Sequence, residues 1–234
     1  MTDLSLPPLF KSLPARGEPP FALACRMAQE GCDAGLVVYE LRPDMLRAAI
    51  VFAPEVPLSE AAIMLPICGV GFQNALGALA PPEVGVHLEW NGNIRVNGGI
   101  AGKLTMAAHP ATPEAQPDWL VIGLELALWP AEEDTGLTPD VTALFAEGCA
   151  DVEAPALLEA WTRHALVWIH RWTEDGARPI HAEWSGLAHG LKEPLTFGDA
   201  SGTFIGVDEN FGMILQSDDG TTIIPLTKIL TEAS

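Results

Sequence analysis

The residue types best suited to chemistry gather in one stretch, Val84 to Met106, which reads VGVHLEWNGNIRVNGGIAGKLTM. Trp90 offers an aromatic face, and Asn91 and Asn93 offer carboxamides. Gly99, Ala101 and Gly102 are small enough to let a ligand or a second backbone come close. Lys103 places a cation next to them. Such a set makes the wall of a small-molecule site. Two competing readings stand beside it: Lys103 as a solvent-facing strand residue, and Trp90 as a core anchor. Elsewhere the chemistry-bearing residues are scattered. The six histidines lack metal-ligand spacing, and the four cysteines form no C-x-x-C pair, which suits reduced thiols in a core. Asp218-Asp219-Gly220 is acidic but lacks the spaced ligands of a calcium loop, so it reads as a hairpin turn. The chain has no G-x-G-x-x-G, no Walker loop and no G-x-S-x-G elbow.

The elements that must position these residues follow from periodicity. Val86, Leu88 and Trp90 alternate with His87 and Glu89, as a half-buried strand does. Asn91-Gly92 predicts a tight type I′ hairpin leading to a return strand through Ile94 and Val96. Asn97-Gly98-Gly99 is a second turn, and Ile100 to Ala107 a third strand. Upstream, residues 1–18 are Pro-rich and read as extended over the surface. Pro20 opens a helix that Gly31 ends, and strands are predicted over 35–41 and 47–52. Ser59 can cap a helix running to about Leu79, kinked by Pro66. Downstream, WLVIGLELAL (119–128) suits a strand covered on both faces. A short helix is expected from Thr138 or Asp140 to Gly148, and a longer one from Pro155 with Trp161, Trp168 and Trp172 at helical spacing. Pro179 starts another that Gly190 stops. The tail changes to short strands over 194–197, 202–207, 212–216 and 221–225, the pattern of a small SH3-like β-barrel.

Composition narrows the classes. A formal charge of −19 argues against a nucleic-acid partner, whose phosphates demand Lys and Arg. Ala61 to Ala80 comes nearest to a membrane span but is interrupted by Pro66, Gln73 and Asn74. The N-terminus lacks a signal-peptide pattern, so the cytoplasm is the expected compartment.

Trp90-Asn91-Gly92-Asn93 and Gly99-Ile100-Ala101-Gly102 together resemble the core of the biotin/lipoate protein ligase family. There, a Trp-Pro-Asn-Asp strand end is followed by a turn, a Lys and Ala-Gly. The run 172–202 resembles that family's connector, and GTFIGVDENFGMILQSDDGTTIIPL its C-terminal β domain. The resemblance implies an α+β fold: a mixed sheet with packed helices, the class II aminoacyl-tRNA synthetase/biotin protein ligase-like core, over residues 1–190. A small SH3-like β-barrel would follow over 191–234, with no DNA-binding domain.

The resemblance also implies a chemistry. Family members join biotin or lipoate to a carrier-protein lysine by way of an acyl-adenylate made from ATP. A Gly-Arg-rich loop, an invariant Lys and Gly-bearing strands hold the developing charge. Here the loop position reads YELRPDMLRAA, the Lys position falls on Gly99, and the Asp position on Asn93. Gly123 keeps its place in the Gly-x-Gly-x-Asn strand, where Glu125 and Ala127 replace the other two. Lys103, four residues beyond Gly99 on one strand, is expected on the same face, roughly 13 Å away, as a migrated cation. The expected ligand set is Trp90, Asn91, Asn93, Gly99, Ala101, Gly102 and Gly123, with Lys103 as the catalytic candidate. The first expectation is a divergent ligase that retains a pocket for an acyl cofactor or its adenylate. The alternative is a non-catalytic binding protein that holds a small acid, a nucleotide or a biotinyl/lipoyl carrier domain. A homodimer is compatible with either. A hydrolase or acyltransferase in the old pocket is a third reading, for which no nucleophile stands out.

Overall fold

The computed structural model describes residues 4–130 and 140–231. Among the described residues, eleven strands and five α-helices fall into a large mixed sheet, packed helices and a second, smaller sheet. The large sheet has seven strands: β1 (Lys11–Pro14), β2 (Leu36–Leu41), β3 (Met45–Phe52), β4 (Val86–Leu88), β5 (Asn93–Val96), β6 (Gly99–His109) and β7 (Trp119–Ala127), in the order β1-β2-β3-β7-β6-β5-β4. Only β1 runs parallel to its neighbour; β2 through β7 pair antiparallel. β1 was not legible in the Pro-rich leader. Its backbone completes the sheet by pairing with Leu36–Tyr39, although its own side chains are half-buried or exposed.

Alternation sorts each strand onto two faces. One face buries Leu46, Ile50, Leu120, Ile122, Leu124, Leu126, Leu104 and Met106 under α3 (Met64–Leu79) and α4 (Ala154–Asp175). The other buries Val38, Ala49, Val51, Ala107 and Val121 under α1 (Pro20–Gln29) alone. α1 rests on β2, β3 and β7, so the rest of this second face is uncovered by helix. The helix expected from Ser59 splits into α2 (Leu58–Ala61) and α3. Pro66 falls in the first turn of α3, where its missing N–H costs nothing, and the break lies one turn upstream. Leu58–Leu79 is apolar and long enough to cross a membrane, with mean hydropathy 1.5, and 72% of its most apolar window is buried inside this fold. Trp161 lies at 0% exposure and donates from Nε1 to the Cys68 carbonyl at 2.9 Å, so it and the buried Trp168 are core, while Trp172 is half-buried.

The helix expected up to Gly148 is absent from Val141 to Gly148, and its Thr138 start lies outside the described residues. Here the backbone donors are spent on strands instead: Thr142 N–H bonds the Ile100 carbonyl, Leu144 the Ala127 carbonyl, and Phe145 the Leu128 carbonyl. α5 (Arg178–Leu187) precedes the second sheet, a meander of β8 (Pro194–Phe197), β9 (Ala200–Val207), β10 (Met213–Ser217) and β11 (Gly220–Ile224). Its inner face (Phe204, Met213, Leu215) joins the main core.

Candidate functional site

The antiparallel register places one polar row straight across five strands of the uncovered face. Glu40 of β2 pairs with Arg47 of β3, Arg47 with Glu125 of β7, Glu125 with Lys103 of β6, and Lys103 with Asn93 of β5. Paired residues point to the same side. Arg47 Nη1 donates to Glu40 Oε2 at 3.3 Å, while Nε lies 3.3 Å from Glu125 Oε1. That second contact is charge attraction without hydrogen-bond alignment. The row continues to Glu89, which accepts from Asn93 Nδ2 at 2.7 Å and from Arg95 Nε, with His189 Nδ1 4.0 Å away. Arg42, at the β2–β3 turn, is held bidentately by Asp44 at 3.1 and 3.4 Å. Both arginines near the expected loop are therefore already paired with carboxylates. The turn itself is three residues, Arg42 to Asp44, closed by Arg42 N–H to the Met45 carbonyl.

Beside this row lies a second, smaller one. Gly123 pairs with Ala49 and with Thr105, and Phe21 from the first turn of α1 sits on it. A methyl added at Gly123 would fall 2.6 Å from Phe21 Cδ2 and 2.7 Å from Thr105 Oγ1. The glycine therefore serves close packing of the Phe21 ring, which fills the space above it.

The expected ligand set is divided. Lys103, Asn93 and Gly123 share the face that carries α1, Gly123 beneath Phe21 and the other two beyond the helix. Trp90 belongs to the opposite core: it is 5% exposed, Nε1 donates to the Phe211 carbonyl at 2.7 Å, and its ring meets Phe197 edge-on at 5.2 Å. Asn91 is exposed at the hairpin, accepting from the Asn93 N–H. Gly99, Ala101 and Gly102 lie on the helix-covered side, Gly99 beneath Thr142 and Gly102 against the Glu125 carbonyl.

The expectation that Gly99 and Lys103 share a face is overturned. Arg95 pairs with Ile100 but Ile94 with Gly102, leaving Ala101 as an extra residue in β6. One bulged residue reverses the alternation, so Gly99 pairs with buried Val96 and Lys103 with Asn93 on opposite faces. The turn types are exchanged as well. Asn97 and Gly98 both have positive φ (49° and 98°) and make the two-residue turn. At Asn91-Gly92 only Gly92 is left-handed (φ 93°), in a longer loop where Glu89 N–H bonds the Asn93 carbonyl. Glu40, Thr105 and Phe21 were missed as site residues. Strand parity in GLVVYEL and WLVIGLELAL would have found the row, but nothing in the sequence aims Phe21 at Gly123.

The cavities reach only the Asn93–Glu89 end of the row. A hollow bordered by Trp90, Glu89, Asn93, Gly92 and Leu104 on the covered side encloses about 20 Å³, room for a single water. Another of about 220 Å³ lies between the Trp90 hairpin, His189 and the second sheet. Glu40, Arg47, Lys103, Thr105 and Glu125 border none of the five principal cavities among the described residues. No thiol is poised as a nucleophile. Burial raises Cys25 to about 11 and Cys68 further, and desolvation raises Cys32 and Cys149 too, helped by Asp33 and Glu147.

Comparison with known proteins places this architecture. The profile of the Biotin/lipoate A/B protein ligase family matches residues 6–186. This chain belongs to that family. A second profile, described as a domain of unknown function (DUF4444), matches residues 191–232. A biotin--[acetyl-CoA-carboxylase] ligase of Paracoccus denitrificans is 24% identical over 186 residues, 77% of each chain. A biotin protein ligase-like protein of unknown function from Silicibacter sp. TM1040 is 60% identical; its crystal structure matches with a TM-score of 0.93 over 98% of this chain and 100% of that one. The biotin protein ligase of Aquifex aeolicus, at 14% identity, shares the fold with a TM-score of 0.72, covering 92% and 94% of the two chains. That ligase has also been solved in complex with biotin and ATP. The family's α+β sheet-and-helix fold is thus the fold of this chain.

Proposed function

We propose that this member of the biotin/lipoate ligase family does not form acyl-adenylates and works as a binding protein on the ligase scaffold. The observation that carries this reading is the pairing of Arg42 with Asp44 and of Arg47 with Glu40 and Glu125. Adenylation needs cations free to meet phosphate, and removing one such contact costs on the order of 3 kcal/mol at the transition state. An incoming triphosphate would have to displace carboxylates of the same sheet in a chain of net charge −19. The three-residue turn leaves no length for a loop over an adenylate, and Phe21 occupies the space above Gly123.

The partner this face suits is a protein surface, in the first instance a biotinyl/lipoyl carrier domain. Alternating charges in fixed register across four strands give specificity and orientation to a flat contact. A small acid or nucleotide would need a hollow, and the charged members Glu40, Arg47, Glu125 and Lys103 border none of the principal ones. The four thiols, all free, fit a cytoplasmic protein. The C-terminal sheet, taken as its own domain from residue 191, would be anchored by Trp90 and Phe211 rather than by ligand. One observation favours residual ligase chemistry: Lys103 is exposed on the same face as Gly123, two residues along β6 from Thr105, Gly123's partner.

Calorimetric titration with an isolated carrier domain tests the reading. Binding that weakens at least tenfold in Arg47→Ser or Lys103→Glu, with ATP giving no heat of binding, is expected. Saturable ATP binding would overturn it, as would carrier binding indifferent to both substitutions.

A further inference from the structure

We propose that the open edge of β11 pairs with β11 of a second copy, giving a two-fold symmetric dimer through one continuous sheet. A bare strand edge templates such pairing unless charge, proline, a bulge or a covering segment blunts it. Each of the other sheet edges is blunted. β1 carries Lys11 and ends on Pro14. β4 is covered by the link between α5 and β8, where Leu88 bridges Ala188 and its carbonyl accepts from the His189 N–H at 2.9 Å. β8 opens on Pro194, directly after Lys192 and Glu193. β11 has none of these devices. Its sequence, GTTII, holds no charge and no proline, and it meets β10 without a bulge. Thr221, Thr222 and Ile223 are all exposed, Ile223 at 53%.

Strand parity says which backbone groups stand open. Ser217 and Gly220 pair across the turn Asp218-Asp219, and the pair that closes a two-residue turn exchanges both backbone bonds. Alternation then aims the N–H and C=O of Gly220, Thr222 and Ile224 at β10, and those of Thr221 and Ile223 away from it. Among the described residues, no other group bonds Thr221 or Ile223 on that outer side. With a two-fold axis at Thr222, Thr221 exchanges both bonds with Ile223 of the second copy, and Ile223 with its Thr221. An axis at Thr221 would set Ile223 against Asp219 in the turn, and one at Ile223 would set Thr221 against Pro225, which has no N–H. The side chains fit the same register. Ile223, beside Ile214 of β10, meets a β-branched Thr221 on the outer face, and Thr222 meets itself at the axis. Asp218 and Asp219 fall opposite Leu226 and Pro225, so no like charges confront each other. An uncharged strand offers nothing to select a foreign segment, whereas its own sequence answers it, so the occupant is a second copy. A five-residue contact falls short of the roughly 800 Å² per partner of a tight interface, so the dimer is weak and concentration-dependent. The edge belongs to the second sheet and includes none of the polar row.

Sedimentation equilibrium of the full chain at up to about 0.5 mM tests the dimer. Self-association is expected. Thr222→Lys sets like charges across the axis while keeping the bonds to β10, and should weaken it at least tenfold. Ile223→Pro removes an outward N–H and should do the same. Under mild oxidation Thr222→Cys should form a disulfide-linked dimer, since facing residues of a non-hydrogen-bonded pair have Cα atoms about 4.5 Å apart. Ile223→Cys, whose counterpart lies diagonally across the axis, should crosslink at least tenfold more slowly, with the wild-type chain as control. A wild-type chain that stays monomeric throughout overturns the proposal. So does a dimer unaffected by Thr222→Lys in a variant that keeps the wild-type melting transition. Crosslinking of Ile223→Cys as fast as Thr222→Cys overturns the register. If Ile223→Pro unfolds, the exposed Thr222→Lys site and the crosslinks decide.

Discussion

Restoring the family's side chain at Gly99 should fail for a reason that can be measured. A Cβ at this position would sit 2.7 Å from Thr142 Cγ2 and 2.8 Å from Thr142 Cβ. Rotation about χ1 can move the methyl but not the Cβ, so residues 140–142 must shift as backbone. That segment is zipped to β6 by Ile100 N–H to the Asp140 carbonyl (2.8 Å) and Thr142 N–H to the Ile100 carbonyl (2.9 Å). Stretching two hydrogen bonds, each worth about 1 kcal/mol net, together with overpacking, puts Gly99→Ala at roughly 1–3 kcal/mol of destabilisation. Gly99→Lys should cost at least as much and gain no activity, because its side chain starts on the helix-covered side of the sheet. Urea unfolding of Gly99→Ala, Thr142→Gly and the double variant measures the coupling; Thr142→Ala, which keeps the Cβ, is the control. A coupling of at least about 1 kcal/mol is expected with Thr142→Gly and little with Thr142→Ala. A Gly99→Ala protein within about 0.5 kcal/mol of wild type would refute the reasoning, as would a cost undiminished by Thr142→Gly.

Other consequences are simpler. Trp90→Phe removes the donor to the buried Phe211 carbonyl and should cost about 1–3 kcal/mol in urea unfolding; a neutral effect would mean that Trp90 does not anchor the second sheet. Phe21→Ala should open space above Gly123 and Thr105 and lower stability by about 1–3 kcal/mol, less than a fully buried Phe because the ring is half-exposed. An unchanged melting curve would show that the ring does not pack there. Cys25 and Cys68, at 1% and 0% exposure, should resist iodoacetamide at pH 8 in the folded protein and react after unfolding; quick labelling of either in native protein contradicts their placement. Burial, aided by Arg163, lowers the His164 pKa in the folded state. Below the unfolded value near 6.5 the unfolded chain takes up a proton that the native one resists, so stability falls as pH drops below that point. His164→Gln should flatten the stability difference between pH 7.5 and 5.5, and an unaltered difference would exclude His164 as its source.

Much of this was legible in the sequence, for identifiable reasons. The apolar run of 119–128 and helical spacing of Trp161 and Trp168 are properties of single segments, and tertiary contacts did not override them. Lys103 shows where segment logic stops. Its face depends on Ala101 being a bulge, and a bulge is decided by how β5 pairs with β6, which no residue type announces. The exchanged turns have the same origin. Asn91-Gly92 and Asn97-Gly98 carry the same dipeptide, but only the second joins strands whose ends face each other directly. The Arg47–Glu125 contact was hidden because β3 and β7 are far apart in the chain, whereas the Arg47–Glu40 pair follows from the register of the β2–β3 hairpin. The 140–148 segment misled because its propensity is helical while its backbone donors are claimed by β6 and β7.

The central claim is that this sheet face, its arginines held by carboxylates and only Lys103 among its described residues outside an ion pair, does not support adenylation, and ATP–pyrophosphate exchange measures that directly. With biotin, lipoate or octanoate present, exchange should stay at the level of the acid-free control, in the wild-type protein and in Lys103→Ala alike. Acid-dependent exchange with any of the three, lost in Lys103→Ala, would show that adenylation persists and that Lys103 carries it.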